Sequence, residues 1–116
     1  MRESGILMPV SSLPGPYGIG CFGKAAFQFV DFLSAAGQTI WQLLPLSPTG
    51  YGDSPYQSCS AFAGNPYFVD LETLEKEGLL TAADLKAESW GKDPLEVDYG
   101  TLYVSRFAVL RKAYAA

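Results

Sequence analysis

The sequence predicts an α/β fold, and more specifically the opening section of a larger α/β protein. Three observations favour this: a helical pattern lies between two short apolar runs, both runs lack polar alternation, and only one such unit is present. Strands of parallel sheets are apolar throughout because they are buried on both faces. One helix cannot cover both faces of a two-stranded sheet, so further elements are expected. The alternative is a complete small α+β domain.

The first three elements predict a βαβ unit. The run GILMPV (Gly5–Val10) predicts one strand, and TIWQLL (Thr39–Leu44) predicts the next. Between them, apolar residues recur at i, i+3, i+4 and i+7, the spacing of one helix face: Ala26, Phe29, Val30 and Leu33. Gly37 follows as a helix stop. A helix that connects neighbouring strands in this way makes them parallel.

The second half of the sequence predicts helices. YFVDL suggests a short extended piece, and Glu72–Gly78 a helix of about two turns. Thr81 is a plausible N-cap with Asp84 three residues on, an acidic variant of the capping box. Glu88–Val97 is a polar break. A last helix follows, with Arg111 and Lys112 near its end and apolar positions that include Leu102, Phe107, Leu110 and Tyr114.

The composition is that of one globular domain. Hydrophobic residues make up 48% of the 116 residues and charged residues 17%, whereas a disordered chain is poorer in the first and richer in the second. The net charge of -4 and the lack of a basic run argue against nucleic-acid binding. No run resembles a secretory signal or a membrane span, so a soluble, cytoplasmic protein is expected.

Both irregular segments of the βαβ region follow strands and precede helical sequence. They therefore belong to the carboxyl edge of the sheet, where α/β folds bind ligands. In the first segment, Gly18, Gly20 and Gly23 match G-x-G-x-x-G. A dinucleotide site needs these glycines directly after the strand and a carboxylate near the end of the next one. Neither condition is met, so nucleotide binding is not expected.

The second segment, Ser47 to Tyr67, has the composition of a sugar-binding loop. Aromatic rings stack on the apolar face of a sugar, while amides, hydroxyls and a carboxylate hydrogen-bond its hydroxyls. The segment supplies Tyr51, Tyr56, Tyr67, Asp53, Ser54, Gln57, Ser58 and Asn65. Ordinary packing of tyrosines in a Pro/Gly loop explains the composition equally well.

Catalytic groups are scarce in this sequence. It contains no His, and Asp53 is the one carboxylate of the two loops. Glycoside chemistry needs two carboxylates that flank one bond. Ser54 has no base to activate it, and Cys21 and Cys59 are predicted to be buried, inert thiols.

Three motifs carry a resemblance to a known family. SSLPGPYGIG, WQLLPLSPTGYGDSPYQSCSAFAGNPY and DYGTLY resemble the N-terminal part of 4-α-glucanotransferase, also called amylomaltase or disproportionating enzyme. The resemblance implies an N-terminal fragment of a (β/α)8 TIM barrel: strand 1, helix 1 and strand 2 within residues 1–70. Residues 71–116 then start a helical insertion subdomain. The family uses no cofactor and no metal.

The resemblance also implies roles for individual residues. Tyr56 matches the aromatic residue beside the sugar under attack, with Asp53 and Ser54 as its polar companions. Tyr51 and Tyr103 match two tyrosines of a second glucan site away from the chemistry. The family's catalytic carboxylates lie on later barrel strands, so no catalytic residue is assigned to this chain.

The implied function is transfer of α-1,4-glucan segments between maltooligosaccharides by a retaining mechanism in the intact parent. The fragment alone is expected to be inactive and to associate through exposed strand edges. The alternatives are a standalone, non-catalytic glucan-binding module and an interaction domain that binds no glucan. Neither a nucleic acid nor a membrane is an expected partner.

Overall fold

The computed structural model describes all 116 residues, and its elements begin with a βαβ unit that is followed by three helices. The strands and helices are β1 (Gly5–Leu7), α1 (Lys24–Ala35), β2 (Ile40–Gln42), α2 (Leu71–Lys76), α3 (Ala82–Lys86) and α4 (Tyr99–Ala115). Two short 3-10 helices, Val10–Ser12 and Pro66–Phe68, lie in the loops that follow β1 and β2. No helix is long and apolar enough to cross a membrane.

The predicted parallel βαβ unit is confirmed, although both strands are shorter than predicted and Val10 lies in a 3-10 helix. β1 and β2 pair in parallel, with Gly5 opposite Ile40 and Leu7 opposite Gln42. A side chain at Gly5 would collide with Ile40, since a Cβ there would come within 2.7 Å of the Ile40 Cβ. Glycine at this position therefore allows the two strands to approach each other.

The sheet is stabilised by its contact with α1 and by a hydrogen bond of Trp41. The ring of Phe29 on α1 meets Trp41 of β2 edge-on, with the ring centroids 5.0 Å apart. The Trp41 indole Nε1 donates to the Met8 carbonyl at 2.9 Å, which extends the strand pairing beyond β1. Of the predicted inner face of α1, Ala26 and Leu33 are buried, whereas Val30 is 48% exposed.

The expectation that both strands are buried on both faces is wrong for this chain. Ile6, Leu7 and Ile40 are 40%, 54% and 44% exposed, respectively. The sheet has two strands, and α1 is the helix of the βαβ unit that lies on it. Leu7 and Ile40 lie on the face opposite Trp41, which α1 does not cover, and they face solvent although their sequence is that of an interior strand.

The helices after the sheet begin as their capping residues predict. The Asp70 side chain accepts from the Thr73 amide and caps α2, and Gly78 follows that helix with a φ of 80°. Thr81 and Asp84 form the predicted reciprocal capping box of α3. Such local hydrogen bonds satisfy amides that have no partner within the helix.

The extended piece predicted for YFVDL is wrong for Tyr67, Phe68 and Leu71, whereas Val69 and Asp70 have extended backbone dihedrals. Residues Pro66–Phe68 form a 3-10 helix, because the Asn65 side chain accepts from the Tyr67 amide at 2.9 Å. Pro66 at the first position supplies the φ that such a turn requires. Asn65 therefore folds the segment locally, which the apolar letters after it do not indicate.

Both clusters of buried apolar residues include residues of α4. One cluster joins α2, α3 and α4 and comprises Leu71, Leu80, Leu85, Val109 and Ala113. A second cluster, Ile19, Tyr67 and Leu102, joins both loops to α4. Tyr114 was predicted among the apolar positions of α4 but is 94% exposed, whereas Arg106 is buried. The division of the chain at residue 70 stays a prediction.

Gly18 and Gly37 provide a matched test of this packing. Both have a left-handed φ, 79° and 76°, so an alanine strains the backbone equally at each. A Cβ at Gly37 meets nothing within 4 Å, whereas one at Gly18 overlaps the Trp90 carbonyl oxygen and lies 2.8 Å from Leu102 Cδ2. Gly18→Ala should therefore lower the free energy of unfolding by about 1–3 kcal/mol more than Gly37→Ala. Urea unfolding measures both variants, and equal losses would contradict the packing of Gly18 on Trp90.

Candidate functional site

The loop from Ser47 to Tyr67 is folded by its own hydrogen bonds. The two ends of the loop are joined by a backbone hydrogen bond, in which the Asn65 N–H donates to the Leu46 carbonyl at 2.8 Å. Inside it, Thr49 and Ser58 form an isolated antiparallel bridge. A long loop with close ends and internal bonds is an Ω-loop, a class that frequently carries function.

Asp53 occupies a turn at the centre of this loop. Its amide donates to the Gly50 carbonyl at 3.0 Å, and its backbone has a left-handed φ of 56°. Left-handed non-glycine residues are uncommon, and aspartate is among the residues that tolerate this conformation. The hydroxyl of Thr49 donates to Asp53 Oδ1 at 3.1 Å, which holds the carboxylate in place.

The two loops converge on one pocket of about 250 Å³. The first loop lines it with Pro9–Ser12 and Ile19. The second loop contributes Leu44–Leu46, Thr49, Asp53, Pro55, Asn65, Tyr67 and Phe68, and α4 adds Tyr99. The prediction that both loops share the carboxyl edge of the sheet is confirmed. The lining combines apolar side chains with a few polar groups, as small-molecule sites do.

Two tyrosines form the aromatic wall of the pocket. The rings of Tyr67 and Tyr99 lie 5.8 Å apart at a tilt of 59°. Burial raises the pKa of both phenols above 10.0, and the negative charge of Asp53 raises them further. Both phenols are therefore neutral around pH 7 and keep a proton to donate. Beside the Asp53 carboxylate they make a mixed donor and acceptor surface of the kind that hydroxylated ligands need.

Of the five residues proposed as site residues, Asp53 alone lines this pocket. Ser54 and Tyr56 follow it on the same loop, and the Tyr56 amide donates to Ser54 Oγ at 3.3 Å. The Tyr56 side chain is 72% exposed, so its ring faces are free. Tyr51 is fully exposed, and Tyr103 on α4 is 68% exposed, with its ring 5.6 Å from that of Phe107.

Tyr99 is the pocket residue that the sequence reasoning missed. It begins α4, and Asp98 before it caps the helix by accepting from the Thr101 amide at 3.1 Å. That capping pattern predicts where the helix begins but not what its first residue contacts. Tyr99 meets the loops only because α4 folds back over them.

The glycines of the first loop serve packing. A Cβ at Gly20 would overlap the Val10 carbonyl oxygen, and one at Gly23 would lie 2.6 Å from Asp70 Oδ1. The Asp70 carboxylate therefore lies at the N-terminus of α1, the position that a bound phosphate needs. The expectation that Gly18, Gly20 and Gly23 bind no nucleotide stays a prediction.

The two cysteines differ in environment. Cys21 is half-buried, and its thiol donates to Asp70 Oδ1 at 3.7 Å. Burial and the nearby Asp70 raise the pKa of the Cys21 thiol, which keeps it protonated and unreactive. Cys59 is exposed, so its predicted burial is wrong. Its place in the irregular Ω-loop leaves it without neighbours that would cover it.

Comparison with known proteins gives consistent matches. A sequence model of the family described as 4-alpha-glucanotransferase matches residues 8–116. A 4-alpha-glucanotransferase of Streptococcus pneumoniae is 57% identical over 97% of this chain, and one of Thermus thermophilus is 50% identical over 97%. The chain spans 22% of the length of each of these relatives.

The structural comparison agrees with the sequence comparison. The chain superimposes on amylomaltase from Streptococcus agalactiae, solved in complex with acarbose, with a TM-score of 0.94 and 50% identity. The match covers 99% of this chain and 23% of that one. At this identity and score, the two chains share the arrangement of strands, loops and helices described above.

The pocket's electrostatics predict how its tyrosines titrate. Replacement of Asp53 by Asn removes the negative charge that opposes formation of a phenolate. Asp53→Asn should therefore lower the pKa values of Tyr67 and Tyr99, while burial, the larger cause, still raises them. Phenolate absorbance during alkaline titration measures this, and the neighbouring neutral substitution Ser54→Ala serves as the control. An unchanged titration curve in Asp53→Asn would place Asp53 away from both phenols.

Proposed function

The chain belongs to the 4-alpha-glucanotransferase family, and from that premise we propose that it is part of an enzyme that transfers α-1,4-glucan segments between maltooligosaccharides. The observation that carries the proposal is the pocket that both loops build, with Asp53 and two neutral phenols in its wall and the exposed ring of Tyr56 on the same loop. The high identity with named transferases over almost the whole chain supports an enzyme part over a standalone binding module.

In this proposal, β1 and β2 are the first two strands of a (β/α)8 barrel. Their apolar, exposed side chains Ile6, Leu7 and Ile40 suit burial against further strands and helices of the parent. Residues 71–116 are then the start of a helical insertion that follows the second strand. The uncovered strand edges give the isolated chain a route to self-association.

The loop residues bind the glucan in different ways. The exposed Tyr56 ring offers an apolar face on which a sugar ring stacks, close to the bond that reacts. Asp53 accepts hydrogen bonds from sugar hydroxyls, and Ser54 adds a hydroxyl beside it. These contacts hold the donor glucan so that the reacting bond has a fixed place, which lowers the barrier to reaction.

Transfer with retention needs two carboxyl groups roughly 5–5.5 Å apart. One protonates the leaving glucan oxygen while the other attacks the anomeric carbon and forms a glycosyl-enzyme bond. The first then deprotonates the acceptor glucan hydroxyl, which displaces the enzyme carboxylate. The two loops of this chain supply one carboxylate, Asp53, so both catalytic groups are assigned to the rest of the parent.

Tyr51 and Tyr103 are proposed to bind glucan at a second site. Both rings are exposed, and neither lines the pocket. Exposed aromatic rings favour stacking on a long, flexible polysaccharide without a deep cavity.

The proposal is tested with Tyr56 variants of the full-length enzyme. Wild-type enzyme incubated with maltotriose should release glucose and form longer oligosaccharides. Tyr56→Ala should reduce kcat/KM about 100-fold because the reacting sugar loses its positioning, whereas Tyr56→Phe keeps the ring and most activity. Tyr114→Ala removes another exposed tyrosine, far along α4, and is the control. Wild-type kinetics in Tyr56→Ala would remove this residue from the active site.

The second site has a separate readout. In the full-length enzyme, Tyr51→Ala and Tyr103→Ala should change the size distribution of products made from long glucans. Turnover of maltotriose should stay near the wild-type value, since a short substrate does not reach a distant site. Chromatography of the products from both substrates measures this. An unchanged distribution in both variants would reject the second-site assignment.

A further inference from the structure

Arg106 is a buried cation that the proposed glucan contacts do not explain. Its side chain is 1% exposed and is the largest of the fully buried side chains. A guanidinium is costly to remove from water unless its donors find partners. Burial lowers the pKa of Arg106, and the nearby Cys21 and Asp70 oppose that shift.

The guanidinium reaches from α4 to the second loop. Its Nη2 donates to the backbone carbonyl of Val69, whereas its Nε has no hydrogen-bond partner. Val69 directly follows the 3-10 helix Pro66–Phe68. Arg106 therefore ties α4 to the residue at which this short helix ends.

The 3-10 helix is part of the pocket wall. It carries Tyr67, which lines the pocket and packs against two rings of α4, Tyr99 at 5.8 Å and Phe107 at 5.7 Å. Before the first residue of this helix, the backbone N–H of Asn65 donates to the Leu46 carbonyl. The wall is thus held by a backbone bond before the short helix and by the Arg106 side chain after it.

We propose that Arg106 is a positioning residue for the transferase: it fixes the Pro66–Val69 segment on α4 and so places Tyr67 in the glucan pocket. The inference rests on the proposed function. Arg106 lies outside the pocket lining, so it acts through the wall and not on the sugar. A guanidinium suits this task because its donors are rigidly arranged, whereas a lysine has one mobile ammonium group.

The test uses three variants of the full-length enzyme. Arg106→Met keeps an unbranched side chain but removes every donor. Arg106→Lys keeps the charge and one donor group. Val109→Ala is the matched control, because Val109 is fully buried on the same helix but belongs to the cluster away from the pocket. It reports what loss of α4 packing does by itself.

Steady-state kinetics with maltotriose separate positioning from stability. Arg106→Met should raise KM about tenfold with kcat changed less than about threefold, because binding contacts weaken while the catalytic carboxylates stay in place. Arg106→Lys should lie between this variant and the wild type. Val109→Ala should lower Tm without changing KM. If Arg106→Met leaves KM unchanged, or lowers kcat alone, the inference is wrong.

Hydrogen exchange tests the tether without reference to activity. The Tyr67 amide, which donates to Asn65 Oδ1, should exchange about tenfold faster in Arg106→Met, while α1 keeps its protection. Equal exchange in wild type and variant overturns the inference even if the enzyme is active. If the wild type is inactive but exchange is faster in the variant, the proposed function is wrong, whereas the role of Arg106 in holding the Pro66–Val69 segment stands. If Arg106→Met does not fold, Arg106→Lys decides both readouts.

Discussion

The packing of Tyr67 against α4 is the contact on which the rest of the site depends. Tyr67 is 5% exposed, and its cluster with Ile19 and Leu102 joins the first loop, the second loop and the last helix. Neither loop alone has the regular structure needed to bury an apolar face. The contact with α4 brings both loops together as the walls of one pocket, whose lining includes Asp53 and Tyr99.

The sheet, in contrast to the pocket, is poorly packed within this chain, because few residues contact its apolar side chains. Phe27 and Phe32 of α1 are 71% and 63% exposed, and the strand residues are exposed as well. So many exposed large apolar side chains on a helix and a sheet suit burial against further parts of the parent. The proposed barrel gives this surface its partner, and it explains why a sequence typical of interior strands occurs on a solvent-facing sheet.

Local hydrogen bonding explains which parts of the fold were predictable. The strand–helix–strand order, the Thr81–Asp84 capping box and the stop after α2 each follow from residues close together in sequence, and the structure confirms them. Prediction failed where a nearby polar group or a distant contact overrode the apolar pattern. Asn65 turned the predicted extended piece into a 3-10 helix. On α4, Arg106 is buried while Tyr114 is not, because contacts with Val69 and the loops select the inner face.

The sequence by itself determined the fold class, the edge of the sheet at which the pocket lies and the family, since periodicity, loop placement and long motifs are properties of the chain order. The structure alone decided that Asp53 enters the pocket while Tyr56 stays exposed beside it, and that Tyr99 completes the wall. The reason is physical. Side-chain direction in an irregular loop depends on its turns, and the position of α4 depends on burial between residues as far apart as Ile19 and Leu102.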